Sequence, residues 1–88
     1  MSASRENQRY VELFDISKNQ AVARAPLSAI PHLPRKDERI FLPLHQPGDW
    51  AAYTVVAVEY FVGGEPVDGE LFQGSGTDRV TLFVERSN

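Results

Sequence analysis

The longest uninterrupted apolar pattern in the chain runs from Trp50 to Val62, with no glycine or proline between Asp49 and Gly63. Its valines, tyrosines and phenylalanine suit a pleated surface. The even positions (Ala52, Val56, Val58, Tyr60 and Val62, with Thr54) are almost all apolar. The odd ones (Ala51, Tyr53, Val55, Ala57 and Phe61) are apolar too, interrupted only by Glu59. A strand apolar on both sides is covered on both sides, so the pattern predicts the central strand of a sheet, with Val56 and Val58 its most buried residues. Residues 51–62 at about 3.3 Å each span roughly 40 Å, twice the usual strand, so this strand must bend or carry a bulge. A long bent central strand is how a small sheet curls toward a barrel.

The remaining elements follow from shorter patterns. Residues 9–16 alternate as a strand, with Tyr10, Glu12, Phe14 and Ile16 on one side and Val11, Leu13 and Asp15 on the other. Ser17 to Gln20 reads as a turn and 21–25 as a possible return strand, which makes a hairpin. Pro26, Pro31 and Pro34 exclude a central strand or long helix from 26–34. Leu27, Ile30 and Leu33 recur there every third residue, which predicts a 3₁₀-like or polyproline crossover laid over an open end of the barrel as a plug. A free proline-rich ligand is the alternative use of this segment. After a charged bend at 35–39, Ile40 to Leu44 is the next strand. The Pro47-Gly48 pair suits the centre of a type II turn into the long strand. Five of the six glycines lie in 63–78, read as a flexible hairpin loop with a minor strand at 70–73. The last strand is 79–86, with Val80, Leu82 and Val84 inward and Thr81, Phe83 and Glu85 outward.

Composition narrows the setting. At 88 residues the chain is one domain, with 1–8 frayed or disordered and 9–88 folded. Cysteine is absent, so there is no disulfide, thiolate metal site or cysteine nucleophile. The polar start is no signal peptide, and no apolar run reaches the roughly 20 residues of a membrane helix, which points to the cytoplasm. The net charge of −3 is unevenly laid out. Residues 1–44 hold seven basic and five acidic side chains, net +2, whereas 45–88 hold two and seven, net −5. Such a split suits head-to-tail self-association or a charged partner.

No candidate chemistry reaches a recognisable constellation. His32, His45 and Asp49 match no metal or acid–base spacing. Glu65, Asp68 and Glu70 lack the alternating ladder of a calcium loop. Gly74-Ser-Gly76 is followed by a strand, so no helix dipole is aimed at a phosphate. The expectation is therefore a protein that is no enzyme and holds no metal or cofactor. A nucleic-acid-binding small barrel is the alternative function, but a pI near 5.2 opposes its basic footprint.

Two segments carry a resemblance. Pro34-Arg-Lys-Asp-Glu-Arg-Ile40 and Tyr53-Thr-Val-Val-Ala-Val58 resemble a pattern in small uncharacterised bacterial proteins: a Pro-Arg-x-Gly-Glu bend, a short strand, then Tyr-x-Val-x-x-Val. Asp37 stands where that pattern has glycine, and the match covers under a third of the chain. The resemblance implies an SH3-like small barrel and no activity. Together these readings predict an all-β domain, an antiparallel SH3-like partial barrel of four to six strands with meander connections. The apolar surplus then falls outside it: Phe41, Tyr53, Phe61 and Phe83 share the outer parity and are the candidate interface of a self-assembling or protein-binding module, most simply a homodimer.

Overall fold

The computed structural model describes residues 9–30, 32–65 and 72–88. Five strands follow in chain order: β1 (Tyr10–Asp15), β2 (Gln20–Pro26), β3 (Arg39–Pro43), β4 (Trp50–Glu65) and β5 (Gln73–Arg86). A single 3₁₀ turn, Leu27–Ala29, follows β2. The strands form one curled sheet in the order β2-β1-β5-β4-β3, an open half-barrel. The all-β expectation holds, and so does the hairpin of β1 and β2. One feature departs from an antiparallel meander: β1 lies parallel to β5, from Tyr10 beside Arg79 to Asp15 beside Val84, so the sheet is mixed.

The centre of the sheet is β5, not the apolar stretch 50–62. β5 has β1 on one side and β4 on the other, and Val80, Leu82 and Val84 are fully buried. β4 has β3 as a second neighbour only from Trp50 to Thr54. The bend at 35–38 extends that contact by one residue. Asp37 donates its N–H to the Val55 carbonyl at 2.7 Å, and Val55 donates to the Glu38 carbonyl at 2.8 Å. Glu38 holds the bend closed by accepting the Arg35 N–H at 2.8 Å. Asp37 itself sits at φ 78°, a left-handed conformation that glycine adopts without strain. The segments 34–40 and 53–58 therefore meet at Val55.

The long strand is bulged, as its length demanded. Val55 lies opposite Val84 and Ala57 opposite Phe83, so Val56 is an extra residue on β4. One inserted residue exchanges the faces of everything beyond it. Up to Val55 the odd positions face the core: Ala51, Tyr53 and Val55 are buried. From Ala57 onward the odd positions pair with the outward residues of β5, Glu59 with Thr81 and Phe61 with Arg79. Val56 and Val58 are only half-buried, which corrects their expected place at the heart of the core. Val55, Val80, Leu82, Val84 and Val11 hold that place instead.

The crossover behaves as a cover. Leu27, Ile30 and Leu33 pack against the buried cluster, and the Leu27 N–H donates to the Arg9 carbonyl at 2.8 Å. In the β3–β4 connection Asp49 donates its N–H to the Gln46 carbonyl with Gly48 at φ 89°, the type II turn that Pro47-Gly48 suggested. The glycine-rich segment is less loop than expected. β4 and β5 stay paired out to Glu65 and Gln73, with further extra residues at Asp78 and Ser75, both on β5. The expected minor strand at 70–73 lies mostly outside the described residues, as does the frayed segment 1–8.

Among the described residues Asp15 is the one fully buried acid. Its Oδ1 accepts from the Ser17 hydroxyl at 2.7 Å, the Ser17 N–H at 2.9 Å and the Lys18 N–H at 3.3 Å, closing the β1–β2 turn. The Ser17 hydroxyl, with these amides, holds the carboxyl below its ordinary value of 3.8 despite burial. A carboxyl so depressed stabilises the fold fully above its unfolded pKa, and that contribution is lost as pH falls through the folded value. Chemical denaturation from pH 7 down to pH 2 should show a stability decrease beginning near pH 4, and Asp15→Asn should remove part of that decrease. In the same assay at pH 7, Leu82→Ala should cost on the order of 2–5 kcal/mol and Val56→Ala less than half as much.

Candidate interaction surface

The outer side of the sheet is a row of aromatic rings, each covered by a neighbour. Phe14 on β1 meets Phe83 on β5 edge to face, ring centroids 5.8 Å apart. One step along, the Arg79 guanidinium lies 4.0 Å from the Phe61 ring centre and donates to the Tyr10 hydroxyl at 3.4 Å. Arg24 on β2 lies 4.6 Å from the Tyr10 ring centre and pairs with Glu12 at 3.3 Å. The Tyr10 hydroxyl raises the Arg79 pKa above its ordinary value against burial, helped by the charges of Glu12 and Asp78, so the guanidinium stays charged. Its Nε is nevertheless buried with no acceptor among the described residues.

The four aromatics expected to form one outer patch do not come together. Tyr53 is only 4% exposed and belongs to the core cluster, because it lies before the bulge and Phe61 after it. Phe83 is half-buried against Phe14. Phe41 is exposed, under Arg39 at 5.2 Å, but it stands opposite Ala52, beside which the chain end runs. Phe61 and Phe83 lie four β5 positions apart, roughly 13 Å, and Phe41 is a similar distance beyond. Shared parity in the sequence thus did not mean a shared face.

Apart from Leu44 and Trp50, exposed near Phe41 at the β3–β4 connection, exposed apolar surface forms on the other side of β4. Tyr60, Val62 and Phe72 are each about half exposed. Tyr60 pairs with the buried Val80 and so points to the inner side, where it borders an open groove of about 620 Å³ with Leu27, Ile30 and Leu33. Val62 and Phe72 both overhang Gly74, where a Cβ would meet them at 3.2 and 3.3 Å. The glycine leaves room for both side chains on one side of the hairpin. No signal in the sequence marked this row, because its orientation depends on the bulge at Val56.

The weak chemical candidates stay apart. His32 lines the groove, whereas His45 and Asp49 stand in the β3–β4 connection. No group of three or more metal-ligating side chains occurs among the described residues, and the side chains of Glu65, Asp68 and Glu70 lie outside them. Gly74-Ser-Gly76 is part of strand β5. Among the described residues no helix is long and apolar enough to cross a membrane.

No family model, curated protein or solved structure matches the chain. The geometry of the sheet therefore carries the functional argument alone. The Phe14–Phe83 contact is a direct check on the outer side: a double-mutant cycle with Phe14→Leu and Phe83→Leu should give a coupling of about 1 kcal/mol in urea denaturation. Additive losses would place the two rings apart.

Proposed function

We propose that the chain is a small non-catalytic protein-interaction module, self-assembling or binding another protein, whose contact element is the far part of the β4–β5 hairpin. The observation that carries this reading is the exposed row Tyr60, Val62 and Phe72 on one side of a hairpin whose β4 edge has no neighbour among the described residues. Apolar rows of this kind on a small domain mark contact surfaces. A two-stranded ribbon is marginal alone and gains stability from a further strand or layer. The SH3-like resemblance and a cytoplasmic setting belong to the same proposal and add no activity.

A second reading, a nucleic-acid-binding barrel, draws on the cluster of Arg24, Tyr10, Arg79 and Phe61. Base stacking needs free ring faces along a basic groove. Here the guanidiniums cover those rings, Arg24 is already paired with Glu12, and the chain is acidic overall.

Two measurements test the interaction reading. Fluorescence anisotropy with a labelled single-stranded oligonucleotide should show no binding at about 50 mM salt; binding that falls steeply with added salt would favour the second reading. The double variant Tyr60→Asp/Val62→Asp should keep its β-type circular dichroism and lie within about 1 kcal/mol of the parent, two surface substitutions' worth. An unfolded variant would mean that these side chains are core, and the contact surface would be lost with them.

A further inference from the structure

Among the described residues the sheet has four stretches of strand edge, and they are not equally protected: β5 from Gln73 to Asp78, which β1 does not reach, is broken by the extra residues Ser75 and Asp78. β2 is seven residues long with Arg24 within it and Pro26 at its end, and β3 is five residues long with Arg39 and Pro43. Short length, a basic side chain and proline are the usual guards against edge-to-edge pairing. The stretch of β4 from Ala57 to Glu65 has none of them. It is nine residues long, contains no lysine, arginine or proline, and has no extra residue of its own, since those at Asp78 and Ser75 fall on β5; its one positive φ, 140° at Gly64, lies beyond Gly63. Every second residue of such an edge turns an N–H and a carbonyl toward the open side.

We infer that this edge pairs antiparallel with the same edge of a second copy, about a two-fold axis at Tyr60. The inference rests on the protein-interaction reading and names its partner. A two-fold axis normal to the sheet makes the pairing antiparallel and keeps inner side with inner side. Centred on Tyr60, the register sets Tyr60 against Tyr60 of the second copy, Val58 against Val62, and Ala57 against Gly63. Aromatic and β-branched pairs are the favourable cross-strand contacts, and the inner row that each copy leaves exposed becomes continuous across the axis.

Charge selects this register over its neighbours. On the outer side Glu59 comes opposite Phe61 of the second copy, whose ring lies under Arg79. That arginine makes no ion pair among the described residues. The two-fold supplies the contact twice, a carboxylate to each unpaired guanidinium. Moving the axis to Phe61 sets Glu59 against Gly63 and brings the two Arg79 groups toward each other. Moving it to Glu59 sets the two carboxylates face to face, a destabilising pair.

The absence of cysteine makes the register directly readable. Under mild oxidation Tyr60→Cys should form a disulfide-linked dimer, because a directly opposed pair lies within disulfide reach. Val58→Cys and Val62→Cys should each fail alone and link when the two variants are mixed. In sedimentation velocity the wild type should be a dimer. Glu59→Arg should weaken it about tenfold, and adding Arg79→Glu to that variant should restore it. A wild type that is monomeric at high micromolar concentration overturns the inference, as does a Val62→Cys homodimer in place of the Tyr60→Cys one, or a Glu59→Arg variant that dimerises unchanged. If the chain is monomeric yet binds no oligonucleotide, the second copy is excluded as partner while the interaction reading stands.

Discussion

The structure depends on a rule of strand geometry: side chains alternate with a period of two, so one extra residue exchanges inside for outside. In β4 that residue is Val56. Before it, Ala51, Tyr53 and Val55 pack into the core; after it, the same parity carries Glu59 and Phe61 to the outer side. A strand apolar on both parities is what this arrangement requires, because each parity spends part of its length buried. The apolar run of 50–62 therefore reflects a strand that changes sides rather than one covered on both sides throughout.

Val55 is where the constraints converge. It is fully buried opposite Val84, its N–H and carbonyl are both taken by the 35–38 bend, and the bulge follows immediately. With the pairing to β3 ending at Thr54 and that to the bend at Val55, β4 beyond has β5 on one side and, among the described residues, an open edge on the other. A domain built from a single sheet has little apolar area to bury, and this one closes its inner side with the crossover residues Leu27, Ile30 and Leu33. The hairpin beyond Val55 receives less of that cover, which leaves Tyr60, Val62 and Phe72 exposed.

Much of the fold was legible because local rules agree with the tertiary result. Alternation placed Val80, Leu82 and Val84 inside, Pro47-Gly48 marked the turn, and the spacing of Leu27, Ile30 and Leu33 marked a cover. What could not be read was non-local. The parallel pairing of β1 with β5 joins segments some 70 residues apart and leaves no local pattern, so the central position passed unseen from β4 to β5. The site suffered most. Phe41, Phe61 and Phe83 lie on the outer side as expected, Phe83 half-buried against Phe14, but Tyr53 does not, and the exposed row at Tyr60 was missed, because one inserted residue has no composition of its own. Asp15 was hidden for a different reason: its burial is offset by Ser17 and Lys18, which a face-by-face reading assigns to a turn.

Cross-strand nuclear Overhauser effects between backbone protons of β4 and β5 report the exchange of sides at Val56. The bulge places Val55 in contact with Val84 and Ala57 in contact with Phe83, two residues of β4 spanning one step of β5. Contacts of Val56 with Phe83 and of Ala57 with Leu82 would mean an unbroken alternation, and would contradict it.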